Sequence, residues 1–240
     1  MTDGANRSVE VVRDAETLAA RAAGILDAWV GEDQAGGGTC RIALAGGTSP
    51  LGAYRIWSRS YSIDPKRLEV FFGDERCVPA DDAESNFRAA SEALLEPMGV
   101  PEEHVHRMHG DHADRDAAAR DYEHVLPREL DVLVLGLGPD GHTASLFPGD
   151  RAALLENERS VLHVVGPKPP PDRLTITPPV IDRARRVLVL ASGASKAEAV
   201  AAALGEQGDV MVCPVRLARS RAWLVDTAAS ARLDRRLLDG

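Results

Sequence analysis

Apolar and polar positions follow two rhythms along this chain. Nearly continuous apolar runs, CRIALAG (40–46), LEVFFGD (68–74), DVLVLGLG (131–138), RVLVLAS (186–192) and AWLVD (222–226), read as buried strands. SVLHVV (160–165) and RLTIT (173–177) read as further strands, and VHRMHG (105–110) as a short one. Between them lie segments with helical spacing: PLGAYRIWSRS (50–60), SNFRAASEALLE (85–96), DRDAAARDYEHVL (114–126), SKAEAVAAALGE (195–206) and TAASARLDRRLL (227–238). In 85–96, Phe87, Ala90, Leu94 and Leu95 fall on one face. Strands without polar alternation need cover on both faces. The pattern therefore predicts an α/β fold, a mostly parallel sheet with helices on both faces.

Two loops interrupt this rhythm. AGGGT (35–39) is a flexible connection, and GPKPPPDR (166–173) is held extended by its prolines. Neither is long enough for a linker, so residues 1–240 read as a single domain without repeats. The first 39 residues carry little functional signal, and the last 35 read as packing.

Composition adds exclusions. In 240 residues, no apolar stretch approaches the ~20 residues of a membrane span. The polar, acidic start MTDGANRSVEVVRDAE is unlike a secretory signal, which makes the glycosylation sequon Asn6-Arg7-Ser8 accidental. A net charge of −9 argues against nucleic-acid binding, though a local cluster of cations still recognises a small anion. Cys40, Cys77 and Cys213 are odd in number and far apart, which fits a reducing, cytoplasmic setting. A monomer or weak homodimer is expected.

Ligands of open α/β sheets bind beyond the carboxyl ends of the strands, so the residues after each strand carry the chemistry. Gly46-Gly47-Thr48-Ser49-Pro50 follows CRIALA; it reads as an anion cradle at a helix start, or as a tight turn with Thr48 or Ser49 as cap. Asp74-Glu75-Arg76 follows a strand too apolar for the surface, with Asn86 and Arg88 close behind. Gly138-Pro139-Asp140-Gly141-His142 turns the chain sharply after LDVLVLG, delivering an imidazole with a carboxylate to orient it. Lys196 opens a helix after RVLVLAS; the chain has only two other lysines, Lys66 and Lys168. Lys196 and Arg173 are candidate phosphate-binding cations.

Other chemistries lack their signatures. GLGPDG misses the dinucleotide spacing, no P-loop occurs, and no G-x-S-x-G elbow supplies a nucleophile. The histidines of HVHRMHGDH (104–112) match no zinc motif, and Cys77 reads as packing beneath a loop.

LAGGTSP, FFGDERCVPADDAESNFR, GLGPDGHTASLFPG, PPPDRLTITPPVI and SGASKAEA stand in the order and spacing that resemble the glucosamine-6-phosphate isomerase/6-phosphogluconolactonase family, from about residue 40 to about 200. The deaminases of this superfamily usually continue after Asp-Gly-His with an I-A-F-N-E-P-like segment. Thr143-Ala144-Ser145-Leu146-Phe147-Pro148 departs from it and favours the lactonases. The resemblance implies a Rossmann-like α/β fold, like those of glucosamine-6-phosphate deaminase, ribose-5-phosphate isomerase and CoA-transferase. It implies neither a metal nor an organic cofactor. It assigns Gly46, Gly47, Thr48 and Ser49 to a phosphate loop, with Arg173 and Lys196 supplying charge and Arg88 as a further candidate. Asp74 and Arg76 would lie beside the sugar ring, and His142 would be the catalytic base supported by Asp140. The implied substrate is a small sugar-phosphate lactone, 6-phospho-D-glucono-1,5-lactone of the oxidative pentose phosphate pathway. An amino-sugar-phosphate deaminase and a non-catalytic sugar-phosphate sensor are the rival readings.

Overall fold

The computed structural model describes residues 8–234. Its main elements are β1 (Ser8–Val12), α1 (Ala15–Ala35), β2 (Cys40–Leu44), α2 (Thr48–Ser60), β3 (Leu68–Phe72), β4 (Asp74–Arg76), α3 (Asn86–Ala90), α4 (Glu96–Met98), α5 (Arg115–Val125), β5 (Val132–Gly136), α6 (Arg151–Leu154), β6 (Val161–Val165), β7 (Asp172–Ile176), α7 (Pro178–Arg183), β8 (Arg186–Ala191), α8 (Ala197–Leu204) and β9 (Ala222–Asp226).

Six strands form a wholly parallel sheet in the order β1-β9-β8-β5-β2-β3. The chain moves from β2 outward to β3, then returns to place β5 on the other side of β2. The strand order thus reverses between β2 and β5, and their carboxyl ends splay into a crevice. The apolar runs explain the sheet's position: Val132, Leu133, Val134 and Leu135 of β5 are fully buried. One hydrophobic cluster continues from Leu18 in α1 to Trp223 in β9.

β1 and α1 lie in the stretch where the sequence showed little signal. Alanine-rich α1 has a weak polar–apolar contrast, yet Leu18, Ala22, Leu26 and Val30 recur every four residues and are buried. Asp14 caps it by accepting from the Thr17 backbone N–H at 2.8 Å.

Four expectations need correction. The strands expected at 160–165 and 173–177 do not join the parallel sheet; β7 pairs antiparallel with β6 on one side and with β4 on the other, as a separate sheet ordered β4-β7-β6. The segment 105–110 is no strand, making only an isolated bridge from Val105 to Val70. The helix expected over 85–96 is interrupted by a π-helical turn at Ser91–Leu95 between α3 and α4. The helix expected over 227–238 is a series of turns from 227 to 232, and its end lies outside the described residues, as does Asn6 of the sequon. No helix among the described residues is long and apolar enough to cross a membrane.

Candidate active site

A cleft of about 340 Å³ opens at the carboxyl ends of β2 and β5, where the strand order reverses. Gly46, Gly47, Thr48 and Ser49 line it from the β2–α2 turn, Asp74 and Arg76 from β4, and His142 from the loop after β5. Arg173 enters from β7 and Lys196 from the turn before α8. Nine residues singled out by position after a strand, or by charge, therefore share one cavity.

The β2–α2 turn differs in detail from its sequence reading. Neither Thr48 nor Ser49 caps the helix; both lie in its first turn, and Gly47 occupies the cap at φ 96°, a conformation that favours glycine. Among the described residues, no side chain caps the first-turn N–H groups. Those donors, at the positive end of the helix dipole, are left to the cleft. Ser49 shares a 3.0 Å hydrogen bond with Ser192, joining this turn to the one after β8. That second turn is braced by buried Asp226, whose carboxylate accepts from the Gly193 N–H at 3.0 Å.

The loop after β5 is folded around its histidine. His142 Nδ1 lies 2.5 Å from Asp140 Oδ1. Facing a carboxylate, Nδ1 carries the proton, which leaves the Nε2 lone pair to the cleft. Gly138 makes this approach sterically allowed: a Cβ there would stand 2.1 Å from His142 Nδ1 and 2.6 Å from Asp140 Oδ1. Phe147 backs the imidazole with ring centroids 5.1 Å apart. Burial pushes the Asp140 carboxyl upward, but the facing His142 charge and hydrogen bonds outweigh it and hold the group below its usual range. Asp140 thus remains an anion at neutral pH.

Four cations, Arg76, Lys168, Arg173 and Lys196, line the cleft together with two carboxylates, Asp74 and Glu84. Arg76 and Arg173 are direct cross-strand partners in the β4–β7 pair, a repulsive placement for two cations that Glu84, 3.7 Å from Arg76, relieves in part. Burial, then Arg76, push the Arg173 guanidinium below its ordinary value. Burial lowers Lys196 too, against the pull of Asp140 and together with repulsion from Lys168. Arg76 Nε is buried without an acceptor among the described residues.

Asp74 is 7% exposed yet reaches the cleft. Behind it, Glu75 accepts from Ser85 Oγ and from the backbone N–H groups of Arg76, Asn86 and Phe87. Glu75 therefore pins the start of α3 and does not face the cleft. Burial nevertheless pushes its carboxyl above the ordinary value.

Arg88 is a correction. Its guanidinium is turned outward to Glu92 at 2.8 Å and the Asp81 carbonyl at 2.8 Å, and it does not line the cleft. An i,i+4 pair on the exposed helix face claims it. Conversely, Lys168, Asn86, Ser145 and Phe147 line the cleft without having been singled out firmly. Lys168 had a usable signal, being one of three lysines and five residues before Arg173 in the proline-rich loop. The histidines of 104–112 do not gather: His106 pairs with Glu69 and His112 with the Asp114 carbonyl.

The family described as "Glucosamine-6-phosphate isomerases/6-phosphogluconolactonase" matches residues 13–226 of this chain. A 6-phosphogluconolactonase of Mycobacterium tuberculosis is 41% identical, over 94% of this chain and 98% of the relative. One from Streptomyces coelicolor is 39% identical, over 95% of each. The solved structure of a 6-phosphogluconolactonase from Trypanosoma cruzi superposes with a TM-score of 0.83 at 27% identity, covering 95% of this chain and 97% of that one. Extending beyond both ends of the motif region read from sequence, these matches show that the chain belongs to the glucosamine-6-phosphate isomerase/6-phosphogluconolactonase family.

Proposed function

We propose that this chain, acting as one domain in the cytoplasm, hydrolyses 6-phospho-D-glucono-1,5-lactone to 6-phospho-D-gluconate in the oxidative pentose phosphate pathway. The relatives' names give the substrate. The observation that carries the chemistry is the 2.5 Å His142–Asp140 pair in one cleft with Arg173, Lys196 and an uncapped helix start.

The reaction needs an activated water, a site for the carbonyl oxyanion and a proton for the departing ring oxygen. Neutral His142 takes a proton through Nε2 from a water attacking C1. Asp140 fixes the tautomer and stabilises the imidazolium that forms. The oxyanion is met by the guanidinium of Arg76, which lines the cleft, or by backbone N–H groups of the glycine turns. As the tetrahedral intermediate collapses, His142 returns its proton to the ring oxygen. No covalent intermediate is required.

The phosphate is held by the first turn of α2, Arg173, Lys196 and Lys168. Their grip is remote from the reacting carbon and fixes C1 against the base. Asp74 accepts a hydroxyl of the sugar.

Acid release from freshly made 6-phosphogluconolactone, against the spontaneous rate, tests the reading. A large protein-dependent acceleration is expected. No acceleration, with ammonia release from glucosamine 6-phosphate, would assign the cleft to the deaminase side of the family.

A further inference from the structure

Ser145 is 1% exposed and sits in the His142 loop, three residues past the base. Its hydroxyl donates to Asp74 Oδ2 at 2.6 Å. The other carboxylate oxygen, Oδ1, accepts from Asn86 Nδ2 at 3.0 Å, and the same amide holds the Asp74 carbonyl at 2.9 Å. Both oxygens are thus steered from the protein side, by one donor each. A carboxylate accepts about four hydrogen bonds, so Asp74 keeps acceptor capacity for a ligand.

Ser145 is itself fixed. Its backbone N–H donates to Thr175 Oγ1 at 3.1 Å, and Thr175 is the cross-strand partner of Asp74. The residue before it, Ala144, is at φ 46°, the one non-glycine among the described residues with positive φ. That φ lies in the left-handed region, which strains any residue with a Cβ. The turn sends neighbouring hydroxyls to different places: Thr143 Oγ1 to the Gly136 carbonyl at 2.8 Å, and Ser145 Oγ to Asp74. The strained turn thus joins the loop bearing His142 to the strand bearing Asp74 and Arg76.

We propose that Ser145 is a positioning residue for the reaction, acting through Asp74. Its hydroxyl holds the carboxylate in the orientation that accepts a hydroxyl of the bound sugar and locks the His142 loop to β4. Although it lines the cleft, it is 1% exposed and its hydroxyl proton is given to Asp74, so it does not act on the substrate itself. This inference rests on the lactonase reading for the identity of the ligand, and on the hydrogen-bond geometry for the coupling.

The test compares wild type with S145A, S145T, D74N and the S145A/D74N double variant, each checked by melting temperature. S145A is expected to lower kcat/KM about 10-fold or more, the loss typical of a hydrogen bond to a charged group. S145T, which keeps the hydroxyl, should restore most of it. In the D74N background, S145A should add little. Wild-type kcat/KM in S145A, or the same fold-loss in the D74N background as in the native one, would overturn the proposal. If S145A does not fold, S145C preserves the volume with a weak donor and is read by the same criteria. Calorimetric binding of 6-phospho-D-gluconate to the same variants separates this inference from the lactonase reading. Binding without turnover in wild type would sink the lactonase alone, and non-additive affinities would still support Ser145 while additive ones refute it. A wild type that neither turns over the lactone nor binds the acid overturns both.

Discussion

His142 and Asp140 are two residues apart, yet their pairing depends on a turn that brings one side chain back onto the other. His142→Ala should lower kcat by about 100-fold or more with the fold intact, because general-base catalysis contributes roughly 10²–10⁴. Asp140→Asn keeps the size but loses the charge and the tautomer control, so kcat should fall while KM changes little. The double variant should lose about as much as His142→Ala alone, since the two act as a unit. Stopped-flow proton release reads all three. Lys196 supplies a pH signature. Burial lowers it, so in the free protein its charge is lost at a lower pH than for an ordinary lysine. Affinity for the dianionic phosphate should therefore be full near neutrality and fall as pH rises toward the alkaline range. Calorimetric binding of 6-phospho-D-gluconate between pH 7 and 10 checks this. Lys196→Arg, charged throughout, should flatten the profile.

At the scale of elements, the site is a set of strand-to-helix turns, and those were the readable parts of the chain. β2, β5 and β8 are apolar runs that stop abruptly, and each stop is followed by a glycine and then by residues of the cleft. The second sheet was less legible, because RLTIT and SVLHVV have the same composition whether they pair in parallel or antiparallel. Only tertiary pairing with the three-residue β4 decides it, and Asp74-Glu75-Arg76 has no strand signal of its own. Arg88 misled because a cation near a strand end looks alike whether it faces inward or meets Glu92 one turn along. Ser145 was hidden for a related reason: its role lies in a contact across 71 positions of sequence. Gly138 tests the turn after β5. Gly138→Ala would place a methyl against His142 Nδ1 and Asp140 Oδ1, so the pair must separate. Activity should drop about as far as in His142→Ala, whereas the melting temperature should move much less, because the loop lies outside the parallel sheet. Retained activity would mean that the short His142–Asp140 contact is dispensable.

Across the whole molecule, the two ends of the parallel sheet divide stability from function. The carboxyl ends carry the cleft; at the amino ends of β2, β5 and β8 stands a charged cluster. Asp33, at the end of α1, meets Arg185 and Arg186, while Arg185 also meets Asp131 at 3.0 Å. Asp33, Cys40 and Asp131 offer ligand atoms within 4.8 Å of one another, but the two guanidinium groups already neutralise the carboxylates. The cluster therefore reads as a structural clamp fastening α1 to the sheet. Burial pushes the Asp33 carboxyl up, but hydrogen bonds and the arginine charges outweigh it and leave the group below its usual value. A carboxylate with a depressed folded-state pKa contributes stability above its unfolded value of about 3.9 and loses it as pH falls through the folded value. Asp33→Ala strands the half-buried arginines and the Cys40 thiol. It should cost about 3 kcal/mol, toward the lower end for breaking a buried pair because Arg185 is partly solvated. For a chain of this size that corresponds to a fall of roughly 6–12 °C in melting temperature. Lactone turnover at 25 °C should stay near wild type, because the clamp and the cleft lie at opposite ends of the strands. The stability difference between the two proteins should narrow below about pH 4 as the native clamp itself protonates. A variant that melted normally would show that solvent screens the cluster, and one that lost turnover while still folded would show that the two ends of the sheet are coupled.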